Sequence, residues 1–306
     1  MEEIKVHLAA GIGNIVLATP LLVALYESGF VTDLVLAADY AETADLLRPW
    51  SAVREIFTID KPFPSAQKYS CVIPAIPPFY WARYARHFAG MRNVVARPPE
   101  ALFYQDEQEF YLSFARRLGY ARDGKPSVFL PIVSSELKEV GMNTLVVAPG
   151  CKTGEMPAKR WPYYPELANA LRYVAVVGTA DDLPQRNGEP FQFGSHVKVF
   201  IGRLTLRETA EVIAAGGAFV GNDSGLSHIA VAVGTPTVMI FGPTPDYTLG
   251  GFPRNVRALR RGSSCEPCWF ASRFRACASR IDCLAHVSVH SVVTLLAELS
   301  FFGEQA

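Results

Sequence analysis

The sequence has no excess of charge of either sign. Its 306 residues include 29 Lys and Arg and 29 Asp and Glu, so the formal net charge is zero at neutral pH. Proteins that bind nucleic acid generally carry a basic excess, so we expect no nucleic-acid partner. Charged residues make up 19% of the chain and hydrophobic residues 50%, which is typical of a soluble protein with a substantial core.

Long hydrophobic runs, low-complexity tracts and internal repeats are also absent. The apolar run 15–25 is too short to span a bilayer and contains Thr19 and Pro20. The first residues, Met-Glu-Glu-Ile-Lys, are acidic where a signal peptide would be basic. We therefore expect a cytoplasmic protein of about two domains, with at most a peripheral contact with a membrane surface.

The most informative segment lies in the second half of the chain. The apolar run Ala218–Val220 predicts a buried strand, the segment 221–225 (Gly-Asn-Asp-Ser-Gly) a sharp turn, and Leu226–Val233 a short helix. Asp223 or Ser224 is the predicted N-cap of that helix.

A glycine-rich turn before a helix presents backbone N–H groups and the positive end of the helix dipole, which together bind phosphate. His228, one turn into the helix, adds a donor on the same side. The alternative interpretation is an ordinary strand-to-helix turn of an α/β domain. The longer pattern decides between them, because Asn-Asp-Ser-Gly-Leu-Ser-His is followed by Gly-Thr-Pro-Thr, Phe-Gly-Pro-Thr-Pro and Leu-Gly-Gly-Phe.

This series of motifs resembles the donor site of the heptosyltransferases of glycosyltransferase family 9. The resemblance covers residues 144–252 and, in the first half, mainly 11–25. It implies an α/β fold of the GT-B type, with two facing Rossmann-like domains and parallel sheets. It also implies inverting transfer of a sugar, heptose from ADP-heptose, onto a hydroxyl of lipopolysaccharide core, a protein or a small molecule, with no catalytic metal.

Two other interpretations of the same pattern stay open. One is another sugar-nucleotide enzyme of this architecture, such as an epimerase or a hydrolase. The other is a nucleotide-sugar-binding or assembly protein without catalysis. We place the acceptor-side domain at residues 1–138 and the donor-binding domain at 139–306, with a polar connector at 134–143. The helix predicted at Ser288–Leu299 packs back across the first domain in many proteins of this architecture.

The first strand–helix turn departs from the family pattern. After the strand Ile4–Ala10, Gly13 favours close approach of a ligand to the backbone, and a helix is predicted over Ile15–Tyr26. The family has Gly-Asp here, and its carboxylate activates the acceptor hydroxyl, but this chain has Asn14. An amide cannot accept a proton at neutral pH, so we expect Asn14 to orient the acceptor.

In that case the proton passes to another carboxylate or to solvent. The acidic candidates are Asp106, Glu107 and Glu109, which precede the helical pattern 110–118. We expect each of the three to be a solvated surface residue, as most acidic side chains are.

The resemblance assigns several further residues to the donor. Thr153 and Lys159 meet the diphosphate, and the Lys159 ammonium stabilises the departing ADP as negative charge develops. Asp223 holds the sugar hydroxyls, and Ser224, Gly225 and Leu226 present N–H groups to the diphosphate. The alternative for Lys159 and its neighbour Arg160 is a solvated pair before a helix, whereas Trp161 is interpreted as a packing residue.

The remaining predicted contacts are to the nucleoside. Asp181 or Asp182, just past a strand, binds the ribose hydroxyls, as acidic residues do in Rossmann-type sites. Either one is equally acceptable as the N-cap of the following helix. Backbone groups from Gly202 to Leu204 contact the adenine. They precede a helix that Thr205 and Glu208 open as a capping box.

Four of the six cysteines lie close together, at Cys265, Cys268, Cys277 and Cys283. A Cys-x-x-Cys pair with two more cysteines nearby predicts a structural zinc or iron site, with buried thiols as the alternative. Some family 9 relatives carry clustered cysteines at this point, and an iron-binding form exists among the autotransporter heptosyltransferases. Four thiolates leave no open position, so such a metal would be structural.

Overall fold

The computed structural model describes residues 2–59, 68–97, 106–132, 139–151, 159–183, 189–246, 251–260, 267–268 and 284–302. The chain forms two compact units that divide between Pro131 and Ile132. The boundary predicted at residue 138 lies outside the described residues.

In the first unit, the described residues form one parallel sheet. Its strands are β1 Glu3–Leu8, β2 Val31–Leu36, β3 Glu55–Thr58 and β4 Cys71–Ile73, in the order β3-β2-β1-β4. The helices are α1 Ile12–Leu17, α2 Thr19–Glu27, α3 Ala44–Leu47, α4 Pro78–Tyr84 and α5 Glu107–Arg117. Strands β1 and β2 are buried over most of their length, as parallel strands with two covered faces are.

The helix predicted over Ile15–Tyr26 is in fact two helices, α1 and α2, that meet at Ala18. Pro20 has no N–H to donate to the carbonyl of Val16, four residues before it. The hydroxyl of Thr19 donates to that carbonyl instead, at 2.8 Å. The single-helix prediction was wrong because Pro20 lies in the first turn of a second helix and not in the early turns of one continuous helix.

In the second unit, the described residues form a six-stranded parallel sheet. Its strands are β5 Leu145–Ala148, β6 Val174–Val176, β7 Lys198–Val199, β8 Ala218–Asn222, β9 Thr237–Phe241 and β10 Val256–Arg260, in the order β10-β9-β8-β5-β6-β7. The helices are α6 Tyr164–Asn169, α7 Leu206–Ala215, α8 Gly225–Ala232 and α9 Val289–Glu298. From β5 the chain builds the sheet first on one side and then, from β8, on the other. Ligands bind at the carboxyl ends of strands at such a switch point.

Two helices of this unit are informative, one for how it begins and one for where it packs. The capping box is confirmed: Thr205 Oγ1 accepts from the N–H of Glu208 at 3.2 Å, and Glu208 Oε2 accepts from the N–H of Thr205 at 2.8 Å. Helix α9 packs into the core of the second unit, where its Val292 and Leu296 are fully buried among residues of β5, β6, β8 and β9. Helix α9 therefore contributes to the core of the second unit.

Within the described part of the chain, none of the helices combines the length and the apolar character needed to cross a bilayer.

Candidate functional site

The β8–α8 turn places one buried carboxylate between two basic side chains. Asp223 is 7% exposed, and its N–H donates to the carbonyl of Ile240 at 3.0 Å. Its carboxylate lies 2.7 Å from Lys159 Nζ and 3.4 Å from His228 Nε2. The structure thus brings together three of the predicted donor residues, which are 64 and 5 residues apart along the chain.

This arrangement keeps Asp223 ionised. Burial alone would raise the pKa of its carboxyl group. The positive charge of Lys159 and the hydrogen bond from His228 outweigh burial and hold the pKa of Asp223 well below its usual range. Asp223 and Lys159 therefore form a buried ion pair at the carboxyl end of β8.

Helix α8 begins beside this pair. Ser224 is its N-cap, in an extended conformation, and its side chain makes no capping hydrogen bond. Of the two predicted N-caps, Ser224 is correct and Asp223 is not, since the Asp223 side chain is engaged by Lys159. Gly225 and Leu226 form the first turn, whose N–H groups have no acceptor within the helix. These groups are the predicted contacts of the diphosphate.

Asn222, which the sequence indicated only as part of the turn, joins three segments at the switch point. Its side chain is fully buried. Its amide Nδ2 donates to the carbonyls of Pro149 at 2.9 Å and Gly150 at 3.2 Å, and its Oδ1 accepts from the N–H of Trp161 at 3.1 Å. The signal available in the sequence is a polar residue that ends an otherwise apolar strand.

Arg160 is buried and the Lys159 side chain is only 13% exposed, so the alternative of a solvated pair was wrong. Arg160 donates to the carbonyl of Asp181 at 2.9 Å and lies 3.7 Å from the carboxylate of Asp182. Trp161 is confirmed as a packing residue, because its side chain is fully buried and its Nε1 donates to the carbonyl of Val287 at 2.8 Å. The sequence Lys-Arg-Trp thus directs one side chain to the turn and two into the protein.

Asp182 is buried beneath the loop that follows β5. Its Oδ2 accepts from the N–H of Thr179 at 2.8 Å and from the Thr179 hydroxyl at 3.1 Å. The N-cap of the short 3-10 helix Ala180–Asp182 is Thr179, so neither predicted aspartate is the N-cap. Burial raises the pKa of Asp182 despite these bonds and the nearby Arg160. A Cβ atom on Gly150 would overlap this carboxyl group.

We expect Gly150→Ala to lower the free energy of unfolding by about 1–3 kcal/mol, the usual cost of overpacking. The added methyl displaces the Asp182 carboxylate from Thr179. Thermal or denaturant unfolding measures the effect, with Gly141→Ala as the control because a Cβ there meets only an ordinary contact. If overlap with Asp182 causes the loss, Gly150→Ala should cost less in an Asp182→Ala background. An equal cost in both backgrounds would contradict this explanation.

The predicted nucleoside contacts lie along the same edge of the sheet. Asp181 is exposed and follows β6, whereas Gly202 and Leu204 follow β7. The N–H of Gly202 donates to the carbonyl of Gly178 at 2.9 Å, and Gly202 has a φ of +70°, which favours glycine. Asp181, which is exposed, is thus better placed than the buried Asp182 to reach a ligand.

In the first unit, Gly13 and Asn14 lie in the first turn of α1, after β1. Asn14 Oδ1 accepts from the N–H of Gly11 at 3.2 Å, and its Nδ2 donates to Oε1 of Glu107. The same oxygen accepts from the hydroxyl of Tyr111 at 3.0 Å. Glu107 is 6% exposed. The expectation that it is a solvated surface residue was therefore wrong.

Its two neighbours behave differently. Asp106 is the N-cap of α5 and pairs with Lys125 at 2.7 Å, and Glu109 pairs with Arg116 at 3.1 Å with a side chain 38% exposed. Glu107 is thus the one of the three predicted acidic candidates that contacts Asn14.

Several predicted residues fall outside the described part of the chain. They are Thr153, Cys265, Cys277 and Cys283. Cys268 is described and buried, and its N–H donates to the carbonyl of Pro243 at 3.0 Å. No group of three His, Cys, Asp or Glu side chains among the described residues is arranged to hold a metal ion. The metal site stays a prediction from the cysteine spacing.

Comparison with known proteins places these features in a family. Residues 107–275, more than half of the chain, match the family model Glycosyltransferase family 9 (heptosyltransferase). Lipooligosaccharide heptosyltransferase 2 of Haemophilus influenzae is 40% identical over 111 residues, which make up 33% of this chain and 32% of that protein. The chain therefore matches about a third of the length of this curated relative.

Two solved structures show the same fold at low sequence identity. The glycosyl transferase family 9 protein of Veillonella parvula has a TM-score of 0.74 and 16% identity, with 97% of both chains covered. The ADP-heptose lipopolysaccharide heptosyltransferase II of Escherichia coli has a TM-score of 0.70 and 19% identity, with 100% of both chains covered. The predicted α/β fold of the GT-B type is confirmed. On the strength of the family model and the fold, the chain belongs to glycosyltransferase family 9.

Proposed function

We propose that the protein is an inverting glycosyltransferase that moves heptose from ADP-heptose onto an acceptor hydroxyl. The acceptor class we favour is a lipopolysaccharide core, because the curated relative and the Escherichia coli neighbour are named as heptosyltransferases of lipooligosaccharide or lipopolysaccharide. The donor is the one in the name of the Escherichia coli protein.

The observation that carries the proposal is the Lys159–Asp223 pair at the switch point of the second sheet. The pair lies at the start of α8, whose first N–H groups and dipole favour an anion. Family membership supports a nucleotide diphosphate as that anion. Binding the diphosphate here aligns the sugar with Asp223 and directs the nucleoside along the edge formed by the ends of β6 and β7.

The chemistry follows from the charge that develops in the reaction. As the bond between the anomeric carbon and the phosphate oxygen breaks, ADP accumulates negative charge. The Lys159 ammonium, held in place by Asp223, stabilises that charge together with the N–H groups of Ser224, Gly225 and Leu226. In this proposal His228 helps to hold Asp223, and a metal ion is not needed for the displacement.

The test combines donor binding with product analysis. We expect ADP and ADP-heptose to raise the thermal midpoint of the protein, and labelled heptose to appear on heptose-deficient lipopolysaccharide core in the presence of a chelator. If UDP- or GDP-sugars stabilise the protein and ADP-heptose does not, the assignment of ADP-heptose as the donor is overturned. Release of free heptose would instead indicate a hydrolase, and binding of ADP-heptose without any turnover a binding protein.

A further inference from the structure

We infer that Glu107 accepts the proton of the attacking hydroxyl, and that Asn14 and Tyr111 hold its carboxylate for this task. The inference rests on the proposed function and assigns the step that the missing carboxylate at position 14 leaves open. Its basis is the contact between Asn14 Nδ2 and Glu107 Oε1, across 93 residues of sequence.

The position of Glu107 suits a ligand-binding role. The turn after β1 lies at the carboxyl end of a central strand of the first sheet, which is where α/β proteins bind ligands. Asn14, at that turn, is partly exposed and directly contacts the buried Glu107 carboxylate. An amide at position 14 and a carboxylate at position 107 together restore an acidic group to this turn.

Two features of this carboxylate favour its ionised form, against the effect of burial. Glu107 is the first residue of α5, where the helix dipole stabilises negative charge. Asn14 and Tyr111 both donate to Oε1, and hydrogen bonds to a carboxylate favour its charged state. A proton acceptor has to be ionised before the reaction, so these contacts prepare Glu107 for it.

Among the described residues, most charged side chains on α5 and on the helices packed against it form ion pairs of their own. Helix α1 contains no ionisable side chain. Helix α2 contains Glu27 at its end, which pairs with Arg122 at 3.0 Å. On α5 itself, Glu109 and Arg116 pair with each other, and Arg117 follows at the helix end. Lys125 pairs with Asp106.

The step balances as a displacement. The acceptor oxygen forms a bond to the anomeric carbon of heptose, and the bond between that carbon and the ADP oxygen breaks. ADP leaves with the electron pair of that bond. The hydroxyl proton passes to the Glu107 carboxylate, which releases it to solvent after the product departs.

The decisive variant is Glu107→Gln, which keeps the size of the side chain and an oxygen that accepts from Asn14 and Tyr111. We expect kcat for heptose transfer to fall by about 10²–10⁴-fold, the usual contribution of general base catalysis. The affinity for ADP, measured by calorimetry, should stay at the wild-type value. Glu109→Gln is the matched control and should keep wild-type activity, since that side chain pairs at the surface with Arg116.

A second variant tests the positioning role without removing the carboxylate. Tyr111 is fully buried, and Tyr111→Phe keeps its ring while removing the donor to Glu107. We expect the acidic limb of the kcat–pH profile to move to higher pH, with most of the activity regained at the new optimum. Asn14→Ala should move the limb in the same direction, whereas a merely structural role would lower kcat at all pH values alike.

The outcomes separate this inference from the proposed function. Transfer by Glu107→Gln within about threefold of wild type, or an unchanged pH profile in Tyr111→Phe, would overturn the inference and leave the proposed function standing. If Glu107→Gln fails to fold, the Tyr111→Phe profile decides alone. A wild-type protein that neither binds nor transfers from ADP-heptose would overturn the proposed function, and the inference with it.

Discussion

Lys159→Met is expected to reduce kcat/KM for heptose transfer by about 10²–10³-fold, the loss typical when one preorganised donor to a developing anion is removed. Methionine keeps the apolar length of the side chain and removes the ammonium group that lies 2.7 Å from Asp223. Initial rates with labelled ADP-heptose measure the effect. Lys198→Met is the control, because Lys198 is an exposed lysine of the same sheet whose ammonium contacts the carbonyl of Glu139.

The same variant also breaks a buried ion pair, so loss of folding has to be distinguished from loss of catalysis. The side chains of Lys159 and Asp223 are 13% and 10% exposed, so a partner left alone costs about 3–5 kcal/mol of unfolding free energy. Removing both charges in Lys159→Met with Asp223→Leu should recover most of that loss. We expect the double variant to be stable and still inactive. Recovery of transfer in the double variant would refute the role of Lys159 in stabilising the leaving group.

The acid dependence of stability provides an independent check on the pair. Because the pKa of Asp223 is lowered in the folded protein, its contribution is complete above the unfolded value of about 3.9 and is lost as the pH falls below it. The Asp223→Asn variant lacks this group and should therefore lose less stability between neutral and acidic pH than wild type.

Local patterns predicted much of the second unit correctly. The apolar run Ala218–Val220 indicated the buried strand β8, because a strand covered on both faces needs apolar residues at successive positions. The capping box at Thr205 and Glu208 was equally clear, since both partners lie within one turn of helix. Strand β10 went unpredicted because Arg257 and Arg260 interrupt its apolar run.

Contacts between distant segments were beyond the sequence. The sequence neighbours of Glu107, which are Asp106, Gln108 and Glu109, are polar and indicate a surface residue. Only the packing of α5 against α1 places its carboxylate against Asn14. In the same way, the bond from the N–H of Trp161 to Asn222 depends on β5 and β8 being neighbours in the sheet. The sequence identified the residue types, but helix packing and strand order determine which residues are in contact.

Asn222→Ala is expected to cause a large loss of stability at the candidate donor site. The side chain is fully buried and joins the loop after β5, the backbone of Trp161 and the end of β8. Alanine removes the acceptor of the Trp161 N–H and the donor to the carbonyls of Pro149 and Gly150. Each buried group left without a partner costs about 1–3 kcal/mol, so the loss of three partners should cost at least about 3 kcal/mol.

Thermal unfolding followed by circular dichroism measures this loss, and about 2–4 °C is expected for each kcal/mol in a unit of this size. Asn255→Ala is the matched control: this asparagine donates one hydrogen bond, to the carbonyl of Gly234 at 2.9 Å, in an exposed setting. We expect its replacement to change the midpoint little. Equal midpoints for the two variants would show that Asn222 does not hold the segments together.

Ligand binding extends the same test to function. Lys159 lies two residues before Trp161, whose N–H donates to Asn222, so we expect the Asn222 amide to help set the distance between Lys159 and Asp223. In Asn222→Ala we therefore expect weaker ADP binding even below the unfolding transition, with the Asn255→Ala control binding as wild type does. Wild-type affinity for ADP in folded Asn222→Ala would show that Asn222 contributes to stability and does not organise the donor site.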